Sequence, residues 1–207
     1  MVRTRISRLP VIVALLLALA ACHATPPPPA DPFAQCLATL TQRHAVYERM
    51  ADWSTPEGCG VEGAVRLTKA SIPLNRPLMM GCPLAVQLLD FETRVVQPTA
   101  WRYFRQPVNR LLSAGSYVCR VERGGRKGRL SQHALGKAID VTAFELADGT
   151  RISVLADWRG TGPKSLFLHE VTRGACDSFN VVLSPNRDAY HRDHLHLDIG
   201  PYKLCGA

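Results

Sequence analysis

No G-X-Y period, no internal repeat, no C-x-x-C pair and no G-x-S-x-G elbow occurs in this chain of 207 residues. Three of these absences each remove a class. Without the G-X-Y period, fifteen Gly and fifteen Pro cannot make collagen. Without C-x-x-C, a thiolate zinc knuckle has no ligand pairs. Without the elbow, a serine nucleophile of the α/β-hydrolase kind has no seat. Aromatic residues are few, at 7%, and do not interleave with a basic stripe, so nucleic acid is not an expected partner. Long apolar runs are missing too, apart from one at the very start. What remains, 46% hydrophobic and 20% charged, is the balance of a single globular domain rather than of a disordered or fibrous chain.

The apolar run decides the expected location. Arg3, Arg5 and Arg8 precede residues 11–21, a stretch shorter than the roughly 20 residues a bilayer span needs. It reads as a secretory signal ending in Leu19-Ala20-Ala21-Cys22. That order resembles a bacterial lipobox, in which cleavage leaves a lipidated cysteine at position 22; the other reading is a plain signal peptide with a chance cysteine. Residues 25–32 carry five prolines and read as extended polyproline II. A tether over 22–34 would then hold a domain over 35–207 off a membrane surface. Losing residues 1–21 removes three arginines and leaves 186 residues at net +5 instead of +8, mildly basic and suited to anionic envelope polymers. The expected place is the cell envelope, lipid-anchored and facing the periplasm, with the outer membrane favoured because His23 rather than Asp follows Cys22.

With Cys22 set aside, six cysteines remain: Cys36, Cys59, Cys82, Cys119, Cys176 and Cys205. An even number in an exported chain reads as three disulfides, and it leaves no free thiol for a cysteine nucleophile. Cys59–Cys82, closing a short loop, is the one pairing expected.

Apolar spacing predicts a first helix over 36–51, a short β-rich run over 61–68, and a helix starting at Pro83 and carried on towards Trp101. Residues 116–120 read as a strand and 123–129 as a mobile basic loop. Residues 138–146 and 151–155 read as a hairpin turning at Asp148-Gly149. A helix is expected over 163–176, and strands over 179–183 and 194–199. Helices and hairpin-connected strands mix without a βαβ repeat, so the expected class is α+β. The picture is a small, mostly antiparallel sheet, flanked by helices and stapled by disulfides.

Two clusters could carry chemistry. From His194 onward the sequence alternates strictly, so on a strand His194, His196 and Asp198 share one face while Leu195, Leu197 and Ile199 share the other. The apolar face must look into the core, which leaves the imidazoles on a cleft or in solvent. The second cluster is Ser131-Gln-His133-Ala-Leu-Gly136-Lys-Ala138-Ile-Asp140. Gly136 permits a tight turn through which His133 and Asp140 converge. A buried carboxylate there needs compensation, from a bound cation or from a plain His133–Asp140 ion pair. Two histidines and an aspartate are donors that zinc accepts, and a catalytic zinc keeps its fourth position open.

The motif S-x-H-x-x-G-x-A-x-D over 131–140, followed by a distal H-x-H, resembles the zinc peptidases that group lysostaphin, D-Ala-D-Ala carboxypeptidases and hedgehog domains. Within them it is most similar to the bacterial extensin-like C-terminal domain family, with the likeness running from about Cys59 to Cys205. The H-x-x-H-x-H form at 191–196 is also similar to the penicillin-insensitive murein endopeptidase. The resemblance implies zinc held by His133, Asp140 and His196, and hydrolysis of an amide bond in peptidoglycan peptides. Many relatives place a glutamate just before the second H-x-H histidine, whereas here no glutamate follows Glu170. That moves the base role to His194 or His191. Arg120 would bind the oxyanion or a substrate carboxylate, or simply lie at a strand edge. Ser131 would orient a ligand, or cap a turn. His44 and His169 fall on helical patterns and read as structural. The alternative function is a non-catalytic wall-binding or scaffolding lipoprotein whose metal site is structural or degenerate.

Overall fold

The computed structural model describes residues 31–122 and 128–207. The leader, Cys22, His23, the prolines up to Pro29 and most of the basic loop lie outside the described residues. Residues Asp31–Ala207 make one compact unit. It begins with α1 (Pro32–Gln42), capped by Asp31, whose carboxylate accepts from the Phe33 amide at 3.0 Å, with Pro32 at the first turn. The aspartate and proline that close the proline-rich stretch therefore start a helix, and α1 takes in positions 32–34 assigned above to the tether.

That helix is shorter than expected. It stops at Gln42, and His44 takes a left-handed conformation (φ 59°) that turns the chain into a strand. Residues expected to continue the helix instead form β1 (Val46–Arg49). The spacing of Val46 and Met50 extends the helical pattern only by coincidence. Strands β2 (Trp53–Ser54) and β3 (Gly60–Val61) form a small separate ladder, followed by β4 (Ala64–Lys69) and β5 (Pro73–Gly81).

Pro83 does sit at a helix start. Helix α2 (Cys82–Phe91) runs through a wider turn at Glu92–Val96 into α3 (Gln97–Phe104). Next come β6 (Val108–Gly115), β7 (Ala138–Leu146) and β8 (Arg151–Ser153), the last two forming the expected hairpin. Short α4 (Val154–Asp157) and long α5 (Pro163–Ser178) precede β9 (Val181–Leu183), β10 (Leu195–Asp198) and β11 (Leu204–Gly206).

The main sheet runs β1-β4-β5-β6-β7-β10-β9-β11, with β8 added beside β7. Only the β5–β6 and β9–β11 pairs are parallel, so the architecture is α+β with a mostly antiparallel sheet. Ile139 and Val141 of β7 and Leu195 and Leu197 of β10 enter the same buried core as Leu84 and Leu88 of α2 and Phe167 and Leu168 of α5. Inward apolar residues alternate with outward polar ones, which turns Asp140, His196 and Asp198 to the other face.

Two further expectations fail. Residues 116–120 form no strand; the strand is β6, which ends at Gly115. Ser116 departs from the ladder because its hydroxyl donates to the Ala138 carbonyl at 2.7 Å, and the following loop hangs on Tyr117 N to Met79 O at 3.2 Å. The Cys59–Cys82 pairing is also absent. Cys82 opens α2 against α1 and bonds Cys36, while Cys59 meets Cys119 on that loop, and Cys176–Cys205 ties α5 to β11. Loop length misled here, because the packing of α1 on α2 decides which thiols meet. All six cysteines are nevertheless paired. Among the described residues, no helix is long and apolar enough to cross a membrane.

Candidate metal centre

Two neighbouring strands and one turn build the site. Asp140 on β7 and His196 on β10 are direct cross-strand partners, so their side chains emerge side by side on one face. His133 comes from the short turn Gln132–Leu135, which Ser131 caps by accepting from the His133 amide at 3.3 Å. Gly136 closes that turn at φ 63°, and a Cβ there would lie 2.7 Å from both Val61 methyls. The position needs glycine for conformation and for space.

Three donor atoms meet in a nearly equilateral triangle. His133 Nε2 to Asp140 Oδ1, His133 Nε2 to His196 Nδ1, and His196 Nδ1 to Asp140 Oδ1 are each 3.1 Å. Tetrahedral coordination with bonds of about 2.0–2.1 Å places ligand atoms roughly 3.3–3.4 Å apart. The triangle is a few tenths of an ångström tighter, and its three groups could hold a metal ion.

The outer nitrogens explain why the inner ones point together. His133 Nδ1 donates to the Ser116 carbonyl at 2.5 Å, and His196 Nε2 donates to Asp198 Oδ2 at 3.0 Å. Each bond uses up one N–H and turns the lone pair of the other nitrogen inward, the usual outer support of a metal-ligating histidine. Two lone pairs and a carboxylate 3.1 Å apart repel one another unless a cation or a proton lies between them.

The titration of these groups reflects that tension. Burial opposes ionisation of Asp140, yet hydrogen bonds and charge from His133 and His196 hold its carboxyl well below the usual range. Burial alone would lower His196, but Asp140 and Asp198 outweigh it and push it up to about 9. The site draws positive charge to its centre.

His194 lies just before β10, not within it, but still reaches the cluster. Its Nε2 is 3.6 Å from Asp140 Oδ1 while its Nδ1 donates to Asp193 at 2.9 Å. His191 makes a second imidazole–carboxylate pair, its Nδ1 2.8 Å from Asp188 Oδ1. Burial, with His194 and His196 nearby, lowers its pKa against the pull of Asp188. The His191 ring centre is 5.2 Å from that of His194 and 5.9 Å from that of His196.

Arg120 lines the cavities on both sides of the cluster, at the edge of a loop rather than of a strand. Ser131 serves as the cap described above. His169 packs on Trp158 and bonds its carbonyl at 3.1 Å. Glu170 is engaged by Arg102 and Tyr103 elsewhere. Sequence reasoning gave no role to Ser116 or Asp198. For Asp198 a signal existed, its place two residues after His196 on the same strand face; for a backbone carbonyl there was none.

Compared with known families, residues 34–206 match the one described as extensin-like protein C-terminus. No curated protein and no solved structure matches the chain.

Proposed function

The chain belongs to the family of extensin-like protein C-termini, and on that premise we propose that it is a zinc-dependent amidase acting on peptidoglycan peptides from a lipid anchor in the envelope. The observation that carries the reading is the donor triangle, in which both outer imidazole nitrogens are already engaged and the inner ones converge with Asp140. Two imidazoles and one carboxylate suit zinc better than calcium or magnesium, which prefer all-oxygen sites. The likeness of the 131–140 motif and the H-x-H to zinc peptidases points the same way.

Zinc bound there would supply a Lewis acid for the scissile carbonyl and bring the pKa of water to about 7. The chain's own residues do the rest. His133, Asp140 and His196 hold the ion. His194, its Nδ1 fixed on Asp193, presents Nε2 towards the cluster as the group that takes and returns the proton. His191, held by Asp188, stands beside it and can relay that proton to solvent. Arg120 offers a guanidinium to the developing oxyanion or to a substrate carboxylate. Cys22 carries the lipid, and the proline-rich segment spaces the domain from the membrane.

The deciding experiment incubates zinc-loaded protein with purified muropeptides and reads the products by mass. Gain of one water with scission of a peptide bond supports the amidase. Tight zinc with no cleavage of any muropeptide would leave the non-catalytic wall-binding reading, which the missing glutamate before His196 favours.

A further inference from the structure

The donor triangle does not sit at the bottom of a blind pocket. Two cavities, about 390 and 560 Å³, meet at it, and both are walled by Arg120, Asp140, Tyr190 and His194. Each is the size of a site for a drug-sized ligand, larger than one terminal residue requires. Among the described residues, the larger arm adds Arg76 and Arg192, both exposed, against a single carboxylate besides Asp140, that of Asp193, which is engaged by His194. The smaller arm adds Arg129 and Arg187, but its carboxylates Glu122, Asp188 and Asp198 offset them, and Arg129 is tied to Glu122 at 3.0 Å and stacked 3.9 Å over Tyr202. Counted over the described residues, the two arms therefore differ in charge, with the cationic excess in the larger one.

We infer that substrate lies through the groove, several residues in each arm, so that cleavage is internal, and that the Arg76–Arg192 arm receives a segment carrying a carboxylate. This rests on the amidase reading and adds to it a direction and a substrate class: an acidic peptide continuing on both sides of the cut. In the step itself, the oxygen of water bonds to the carbonyl carbon, the C–N bond breaks, and the amine leaves with the proton that His194 has carried. Arg76 and Arg192 are specificity residues and carry no proton in that step. Arg76 already donates to the Ala114 carbonyl, which fixes its guanidinium at the arm's wall.

The test uses the full chain and three synthetic peptides around one amide bond. One extends three residues to either side and carries a side-chain carboxylate; the second is the same with that carboxylate amidated; the third ends one residue past the bond. Zinc-loaded protein should cut the first with a kcat/KM at least about tenfold above the other two. Arg192→Ala and Arg76→Gln should each raise KM about tenfold at unchanged kcat, as loss of a charge-assisted hydrogen bond predicts. Both effects should vanish on the amidated peptide. Binding to metal-free protein, read by fluorescence anisotropy, should follow the same order, with the three-residue flanks and the carboxylate each tightening Kd. Faster release of the single terminal residue, or equal binding of all three peptides, overturns the inference. Absence of cleavage with the binding order intact would instead overturn the amidase reading and leave the two-armed groove standing. Arg192→Ala is the decisive variant if Arg76→Gln disturbs the fold, since Arg192 lies in the exposed segment before β10.

Discussion

Asp198→Asn tests the logic of the metal centre most directly. The two carboxylate oxygens serve two donors, His196 Nε2 at 3.0 Å and the Gly200 amide at 2.8 Å, in a residue that is 4% exposed. Asparagine has one acceptor oxygen to offer and one amide that can only donate. If the oxygen stays on His196, the new NH2 faces the Gly200 amide; if it turns to Gly200, the NH2 faces the imidazole N–H. If the imidazole answers by moving its proton to Nδ1, that proton blocks the lone pair facing the cluster; otherwise a buried donor is left unpaired, at about 1–3 kcal/mol. In a chain of this size that lowers the melting temperature of metal-free protein by several degrees, at about 2–4 °C per kcal/mol. Loss of outer support for a ligating histidine separately lowers metal affinity about 10–100-fold. Competition with a chromophoric chelator measures the affinity, and a melt without metal measures the stability. Lower stability with unchanged zinc affinity would refute the reasoning, since Asp198 would then serve only the turn at Gly200.

His196→Ala should lose both zinc and activity, whereas His194→Ala should keep the ion and lose about 10²–10⁴-fold in rate; equal zinc loss in the two would misplace the third ligand. Glu92, buried on the wide turn after α2, accepts from the Ser71 and Ile72 amides on Oε2 while Oε1 has no partner, and burial raises its pKa from 4.5 to about 7 despite those bonds. The folded state therefore holds this proton more tightly than the unfolded one. The resulting stabilisation is complete below about pH 4.5 and is lost as pH rises through about 7. Urea unfolding of Glu92→Gln against wild type at both ends of that window should change in relative stability by about 3 kcal/mol, and a pH-independent difference would contradict it. Gly136→Ala forces a Cβ to 2.7 Å from the Val61 methyls in a left-handed turn, and should cost both stability and zinc by displacing His133; unchanged zinc uptake would show that the turn is not what holds the ligand. Cys22→Ser should move the protein from the membrane fraction to the soluble one with peptidase activity kept; persistent membrane binding argues against lipid at Cys22.

Strand alternation was readable in the sequence. Alternation over 194–199 put His196 and Asp198 on one face, and antiparallel pairing with Asp140 then completed the cluster that Gly136 had made possible. The hairpin at Asp148-Gly149 and the helix at Pro83 were legible because turn glycine and first-turn proline act locally. Features that depend on distant chain segments were not. Nothing local says that Val46 pairs with Lys69 instead of continuing a helix, or that Cys36 rather than Cys59 finds Cys82. Ser116 is the sharpest case, because its carbonyl, common to all residues, does the orienting.

The Ser116 carbonyl belongs to a loop whose other end is fixed by Cys119, three positions on, through the bridge to Cys59. One imidazole of the cluster thus takes its orientation from main chain that a covalent link braces across 60 positions of sequence. That brace exists only where thiols are oxidised. Under reducing conditions the same chain lacks one constraint on His133, so the redox state of two thiols outside the cluster bears on how firmly one of its three donors is held.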